Sequence, residues 1–300
     1  MQDEMRAISD KWYAANKPAE NFIYNADVEA MEFHSNGIEP HLLDQDGLIC
    51  FGVESTKKLL FGNLGSIHTK DIDLFWSWML ALLLDCQPTP PPHPIRDNTE
   101  LYQLLETCAA LAISNEETNI MNPRSNDGVA LSYLCFPLME ALSRTILSEY
   151  LRIDGTVIKD FTVFGSEYGE KKRYKYCSSL KDSLHFAIEQ IKNPTLQEGL
   201  SDLITNLEKF SEADVTGYKY LYGLRNSALH AGKSPPTIGG YCFSISLLLA
   251  LYVIEEKYDG YSKWAKTNIS NFKKYPRPCF YWQGHYAKLY LIEGKGNEFV

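Results

Sequence analysis

The chain has 300 residues, 45% hydrophobic and 22% charged, with 29 basic and 38 acidic side chains and a net charge of −9. That much apolar surface excludes a disordered chain. The acidic balance excludes indiscriminate binding of nucleic acid by the whole molecule.

The longest apolar runs, 74–84 and 245–254, fall short of the roughly 20 residues a membrane-spanning helix needs. The first residues (Met1, Gln2, Asp3, Glu4) lack the basic, apolar character of a secretory leader. Seven cysteines, at 50, 86, 108, 135, 177, 242 and 279, are scattered and odd in number, with no C-x-x-C pair. Reduced thiols and a cytoplasmic setting are therefore expected, not a disulfide frame or a zinc ribbon.

Charge and hydropathy divide the chain in three. Residues 1–127 carry a balance of −12, residues 128–257 of −1, and residues 258–300 of +4. The first part reads as a mixed or helical acidic domain. A short strand is expected within 47–53. A buried helix is expected over 71–87, where Leu74, Phe75, Trp78, Leu80, Leu82 and Leu83 leave almost no polar face. The prolines at 88, 90, 91, 92 and 94 end it in a stiff connector. A second helix follows over 99–113, with Leu101, Leu104, Leu105, Cys108, Leu111 and Ala112 at helical spacing. Loop chemistry at 120–128 sets the domain boundary.

Five helical segments then make an all-α bundle over 128–257. The first, 130–152, contains Pro137, which either kinks the helix or marks its true first turn. Segments 178–192 and 196–210 each show one apolar face. A fourth runs from a capping Asp214 to about Ala231, stopped by Gly232 and Pro235–Pro236. The fifth, 240–258, is strongly apolar. The last 42 residues are rich in aromatic and β-branched side chains, so strands are expected at 279–282 and 287–292 with a turn at Gln283–Gly284. The fold class is thus mainly α, with a short β-prone C-terminal segment.

Chemistry concentrates in Leu224-Arg225-Asn226-Ser227-Ala228-Leu229-His230-Ala231-Gly232. This stretch resembles the HEPN superfamily, helical bundles marked by Arg, a polar residue, and His after a short spacer. The form here is R-N-x-x-x-H at Arg225, Asn226 and His230, preceded by Tyr218, Tyr220, Leu221 and Tyr222. The segment from Leu134 to Leu142 is similar to the first helix of such domains. The resemblance covers about 128–257.

The resemblance implies metal-independent RNA cleavage, with no cofactor. A 2′-hydroxyl attacks the neighbouring phosphorus, leaving a 2′,3′-cyclic phosphate and a 5′-hydroxyl. The residue chemistry suits each need. An imidazole titrating near neutrality moves the proton, giving His230 the acid or base role. A guanidinium fork fits a phosphoryl group, giving Arg225 the stabilising role. Asn226 orients one or the other. On an ideal helix Arg225 and His230 point about 140° apart. A distorted last turn or a second motif across a two-fold axis would bring such groups together. The superfamily generally uses the dimer, so a homodimer through the Arg225–His230 helix is expected.

Glu140 lies in an apolar stretch of the first bundle helix and has two readings. It faces solvent, or it pairs with Arg225 or His230 and escapes the cost of an isolated buried carboxylate. The basic run Lys171, Lys172, Arg173 and Lys175, with Tyr174 and Tyr176, reads either as a solvated loop or as an RNA approach that combines charge with stacking. His34 and His41 read as ordinary polar positions, not metal ligands. No Walker motif and no G-x-G-x-x-G occurs.

Two functions remain. One is an endoribonuclease of the toxin or anti-phage defence kind, in which the acidic N-terminal part is a sensor, regulator or substrate selector. The other is a non-catalytic module that binds RNA, nucleotide or a regulatory protein partner. A toxin silenced by a nucleotidyltransferase is disfavoured, because the Tyr of that branch is replaced by Gly232.

Overall fold

The computed structural model describes residues 1–16, 30–60, 69–85, 93–114, 127–161, 177, 179–211, 215–229, 236–274 and 281–291. Eleven α-helices lie among them: α1 Gln2–Asn16, α2 Gln45–Lys58, α3 Lys70–Leu83, α4 Thr99–Ser114, α5 Asp127–Ile146, α6 Leu180–Gln190, α7 Pro194–Asn206, α8 Gly217–Leu229, α9 Pro236–Val253, α10 Tyr258–Lys274 and α11 Tyr281–Leu291. The described residues hold no strand, only an isolated antiparallel bridge between Leu151 and Val157. No single helix among them is long and apolar enough to cross a membrane.

The chain divides into two units: Met1–Asp97 with Ile254–Val300, and Asn98–Val253. The boundary thus falls before α4, not near 127. The cause is packing: Leu101, Leu105, Cys108 and Ala112 bury one face of α4, which lies against α5. Helices α10 and α11 group with the first unit instead of standing as an extension.

In the first unit, α3 is the hub, contacting α2, α10 and α11. Its residues from Ile72 to Leu83, except Asp73, are buried, as a helix apolar on every side must be. Where the chain is described, the three expected strands are helical instead. Residues 47–53 lie in α2, which Asp44 starts by accepting the Gly47 amide at 2.8 Å. Residues 281–291 form α11, and the turn expected at Gln283–Gly284 is inside it. There the β propensity of the aromatics is overridden by helical spacing, which places Trp282, Gln283, Tyr286 and Ala287 on one buried face. Asp85 accepts the Gln283 amide at 2.6 Å, satisfying the new N-terminus. Residues 275–280 lie outside the described chain.

A fully buried ion network sits beside α3. Asp71 accepts the Phe33 amide at 2.9 Å and the His34 amide at 3.1 Å. It also accepts Lys58 Nζ at 3.2 Å, and both of those side chains are 0% exposed. His34 Nδ1 lies 3.0 Å from Asp71 Oδ1 and 3.3 Å from Glu32 Oε2. Both neighbours only accept when ionised, so Nδ1 carries the proton. Burial alone would raise the Asp71 carboxyl. The His34 hydrogen bond, the Lys58 charge and the Phe33 amide outweigh it and hold the group below its ordinary value. The Lys58 ammonium also lies 4.5 Å from the Phe33 ring and 5.3 Å from the Trp12 ring.

His93 is buried and stacked 5.1 Å from Tyr261. Its Nδ1 accepts the Ile95 and Arg96 amides at 3.2 and 2.9 Å, so the ring is held neutral. Burial pushes its pKa down from 6.5 to about 4. Between those values the unfolded chain takes a proton that the folded chain refuses. His93 therefore contributes full stability above pH 6.5, lost as pH falls toward 4 by at most about 1.4 kcal/mol per pH unit. Denaturation at pH 7 and pH 5 should show the His93→Asn variant, which keeps an acceptor, losing less stability on acidification than the wild type.

In the second unit, α9 lies mainly along α5, with α4 and α7 as further neighbours. Every side chain from Tyr241 to Leu251 is fully buried, the polar Ser244 and Ser246 included. Cys108, Cys135 and Cys242 come from α4, α5 and α9, and burial pushes the Cys135 and Cys242 thiols up into their protonated, inert form. The described cysteines 50, 108, 135, 177 and 242 are all buried and free of disulfides. The five helical segments expected over 128–257 correspond to α5 to α9, with Pro137 inside α5, ten residues past its start.

Helix α8 begins at Gly217, where a Cβ would collide with the Ile204 carbonyl oxygen of α7. Its amide donates to Glu208 Oε1 at 3.0 Å. Gly217→Ala should force α8 off α7 and cost about 1–3 kcal/mol, as overpacking does. A lowered urea midpoint with an unchanged slope would show it.

Candidate functional site

The α5 and α8 faces meet through charge. Arg225 Nε donates to Glu140 Oε1 at 2.9 Å, and its Nη1 donates to Asn226 Oδ1 at 3.3 Å. Arg144, one turn after Glu140, places Nη2 3.7 Å from Glu140 Oε2. The carboxylate is therefore shared by two guanidiniums, and the trio keeps one net positive charge. Side-chain exposure is 12% for Glu140 and 24% for Arg225, so the trio is shielded but reachable. Of the two readings of Glu140, pairing with Arg225 is the geometry found. Among the described residues, the contacts of the fork to side chains run through Nε and Nη1.

Arg144 is fixed in turn. Its Nη1 donates to the Ile153 carbonyl at 3.1 Å. Ile153 belongs to a small hairpin closed by the Leu151–Val157 bridge and by Arg152 N to Thr156 O at 2.9 Å. The hairpin turns at Gly155, whose φ of 85° suits glycine. Cys177 N donates to Gly155 O at 2.8 Å, fastening the hairpin. Burial, with the Asp182 charge adding to it, pushes the Cys177 thiol up to about 11, so it is no nucleophile at neutral pH.

His185 on α6 stands edge-on to Tyr218 of α8, ring centroids 4.7 Å apart, and 3.8 Å from Glu189. Burial pushes its pKa below the ordinary value, so the imidazole is neutral at pH 7. Tyr218 and Arg225 are seven residues apart, two turns along the same α8 face. Sequence reasoning missed Arg144 and His185. The i, i+4 spacing of Glu140 with Arg144 was a usable signal; His185 had none beyond its place on an amphipathic helix.

His230 lies outside the described residues, as do Lys171, Lys172, Arg173 and Lys175. Of the sequence-predicted site, the structure thus brings together Arg225, Asn226 and Glu140. In the first unit, Glu32, His34 and Asp71 place their ligand atoms within 4.8 Å of one another, a spacing a metal could use. Four donors, Lys58 among them, already occupy Asp71. His34 and His41, read as ordinary polar positions, are both buried, and His41 Nδ1 is 2.7 Å from the Tyr286 hydroxyl.

Comparison with protein-family models, with curated proteins and with solved structures gives no match to this chain.

Proposed function

We propose that the second unit is a HEPN-like domain and that the protein is a metal-independent endoribonuclease. His230 moves the proton, Arg225 stabilises the phosphoryl oxygens, and Asn226 orients the reacting groups. Glu140 positions Arg225. The reading rests on one observation above others: the Arg225 guanidinium is held by a carboxylate from a second helix that it shares with Arg144, which leaves the trio with a net positive charge. A phosphodiester gaining charge in its transition state needs that arrangement.

The proposal includes a homodimer through the Arg225–His230 helix, RNA as substrate, and a cytoplasmic toxin-like or defence role. Lys171, Lys172, Arg173 and Lys175 are its candidate RNA contacts. A regulatory protein partner acting through the acidic first unit belongs to the same reading.

A second reading has its own support. The Arg225–Glu140 bond by itself ties α5 to α8, so the motif serves equally in a non-catalytic module that binds RNA, nucleotide or protein. Purified protein incubated with total RNA and a chelator separates the two. Cleavage ending in cyclic phosphate, lost in His230→Ala, is the expected result. RNA binding without cleavage in wild type and variant alike establishes the module instead.

A further inference from the structure

The first unit carries a groove of about 500 Å³ between the loop at Leu42–Asp44 and one face of α10. That volume suits a small-molecule ligand. Its chemistry is unlike the charge network beside α3. On α10, Asp259, Lys263, Lys266 and Ser270 all line the groove, and helical geometry keeps them within about 60° of one another. Asp259 and Lys263 stand at the i, i+4 spacing at which exposed helices close ion pairs. Among the described residues, no ion pair joins them, and none joins Lys266 to a carboxylate. The groove thus presents two cations and two carboxylates, Asp44 and Asp259, with no direct ion pair closed between either lysine and Asp259.

The walls are fixed. The Tyr258 hydroxyl donates to the Leu43 carbonyl at 3.1 Å, tying α10 to the loop. Asp44 is held at the start of α2 by the Gly47 amide. Leu42 forms an apolar lip, 53% exposed. Lys266 is half-buried, and this desolvation moves its pKa below the ordinary lysine value, although the Asp259 charge opposes the shift. A partly desolvated ammonium gains more from an arriving anion than a solvated one does.

We propose that this groove binds a ribonucleoside monophosphate. Lys263 and Lys266 take the phosphate, Asp259 accepts hydrogen bonds from the ribose diol, and the base lies on Leu42. Inorganic phosphate would leave the carboxylate and the lip unused, and a nucleoside would leave the lysines unused. The site involves none of the residues assigned to RNA cleavage, so it stands or falls apart from that reading.

Calorimetric titration of the full-length protein tests it. The probes are the four ribonucleoside 5′-monophosphates, their 2′-deoxy counterparts, ribose 5-phosphate and inorganic phosphate. At least one ribonucleotide should bind saturably and more tightly than its deoxy counterpart and than inorganic phosphate. Lys263→Gln with Lys266→Gln should weaken it by about tenfold or more, the worth of one charge-assisted contact. Asp259→Asn should abolish the preference for ribose over deoxyribose. The single lysine substitutions serve if the double variant does not fold, as circular dichroism will show. The proposal is overturned if no ribonucleotide binds, if inorganic phosphate binds as well, if binding survives loss of the lysines, or if ribose and deoxyribose are not distinguished.

Discussion

Asp71→Asn should destabilise the protein by about 3–5 kcal/mol, the usual cost of removing one partner from a buried ion pair. The substitution is nearly isosteric, so packing hardly changes. What changes is that Lys58, 0% exposed, loses its counter-charge 3.2 Å away. The new amide also brings donor hydrogens among groups that already donate: the Phe33 and His34 amides, His34 Nδ1 and Lys58 Nζ. Such a loss is a large share of the roughly 5–15 kcal/mol that keeps a domain folded. Urea denaturation should show the midpoint collapse. Lys58→Met combined with Asp71→Leu should recover much of the loss, since apolar replacement of a whole buried pair is often neutral or stabilising.

The same carboxylate gives a pH signature. Its pKa is lower in the folded chain than in the unfolded one. Its stabilisation is therefore complete above the ordinary carboxylate range and is lost as pH falls through the folded value. A wild-type acid transition that Asp71→Asn flattens would reveal it.

Arg225→Ala should lower RNA cleavage by about 10²–10³-fold, the scale on which enzymes lose activity when one transition-state donor is removed. Arg225→Lys should rescue little. A lysine, a point charge without directional planar donors, cannot hold Glu140 and Asn226 in fixed directions while presenting a further N–H to phosphate, as the planar guanidinium does through Nε, Nη1 and Nη2. Glu140→Gln should cost less, because its amide oxygen can still accept from Arg225 Nε. If all three variants match the wild type on RNA while melting at lower temperature, Arg225 is a helix-packing residue only.

The bundle helices were legible because their apolar spacing repeats every three to four residues, as in Leu200, Leu203, Ile204 and Leu207. Most of their limits follow from local signals too, such as Asn193 accepting the Leu196 amide ahead of Pro194. The motif was legible for the same reason, since Arg225 and Asn226 are neighbours on one helix. The C-terminal segment was misread because aromatic residues suit strands and buried helices alike, and only the burial of Trp282 and Tyr286 selects the helix.

By itself, then, the order of residues settles what each short window prefers: a mainly helical chain, and a basic, polar pair near the end of α8. Tertiary structure alone decides the pairing of groups distant along the chain. Glu140 reaches Arg225 across 85 positions, and Asp71 reaches Phe33 across 38. No local propensity encodes either, because a charge in a low-dielectric interior takes whichever partner the packed helices bring to it.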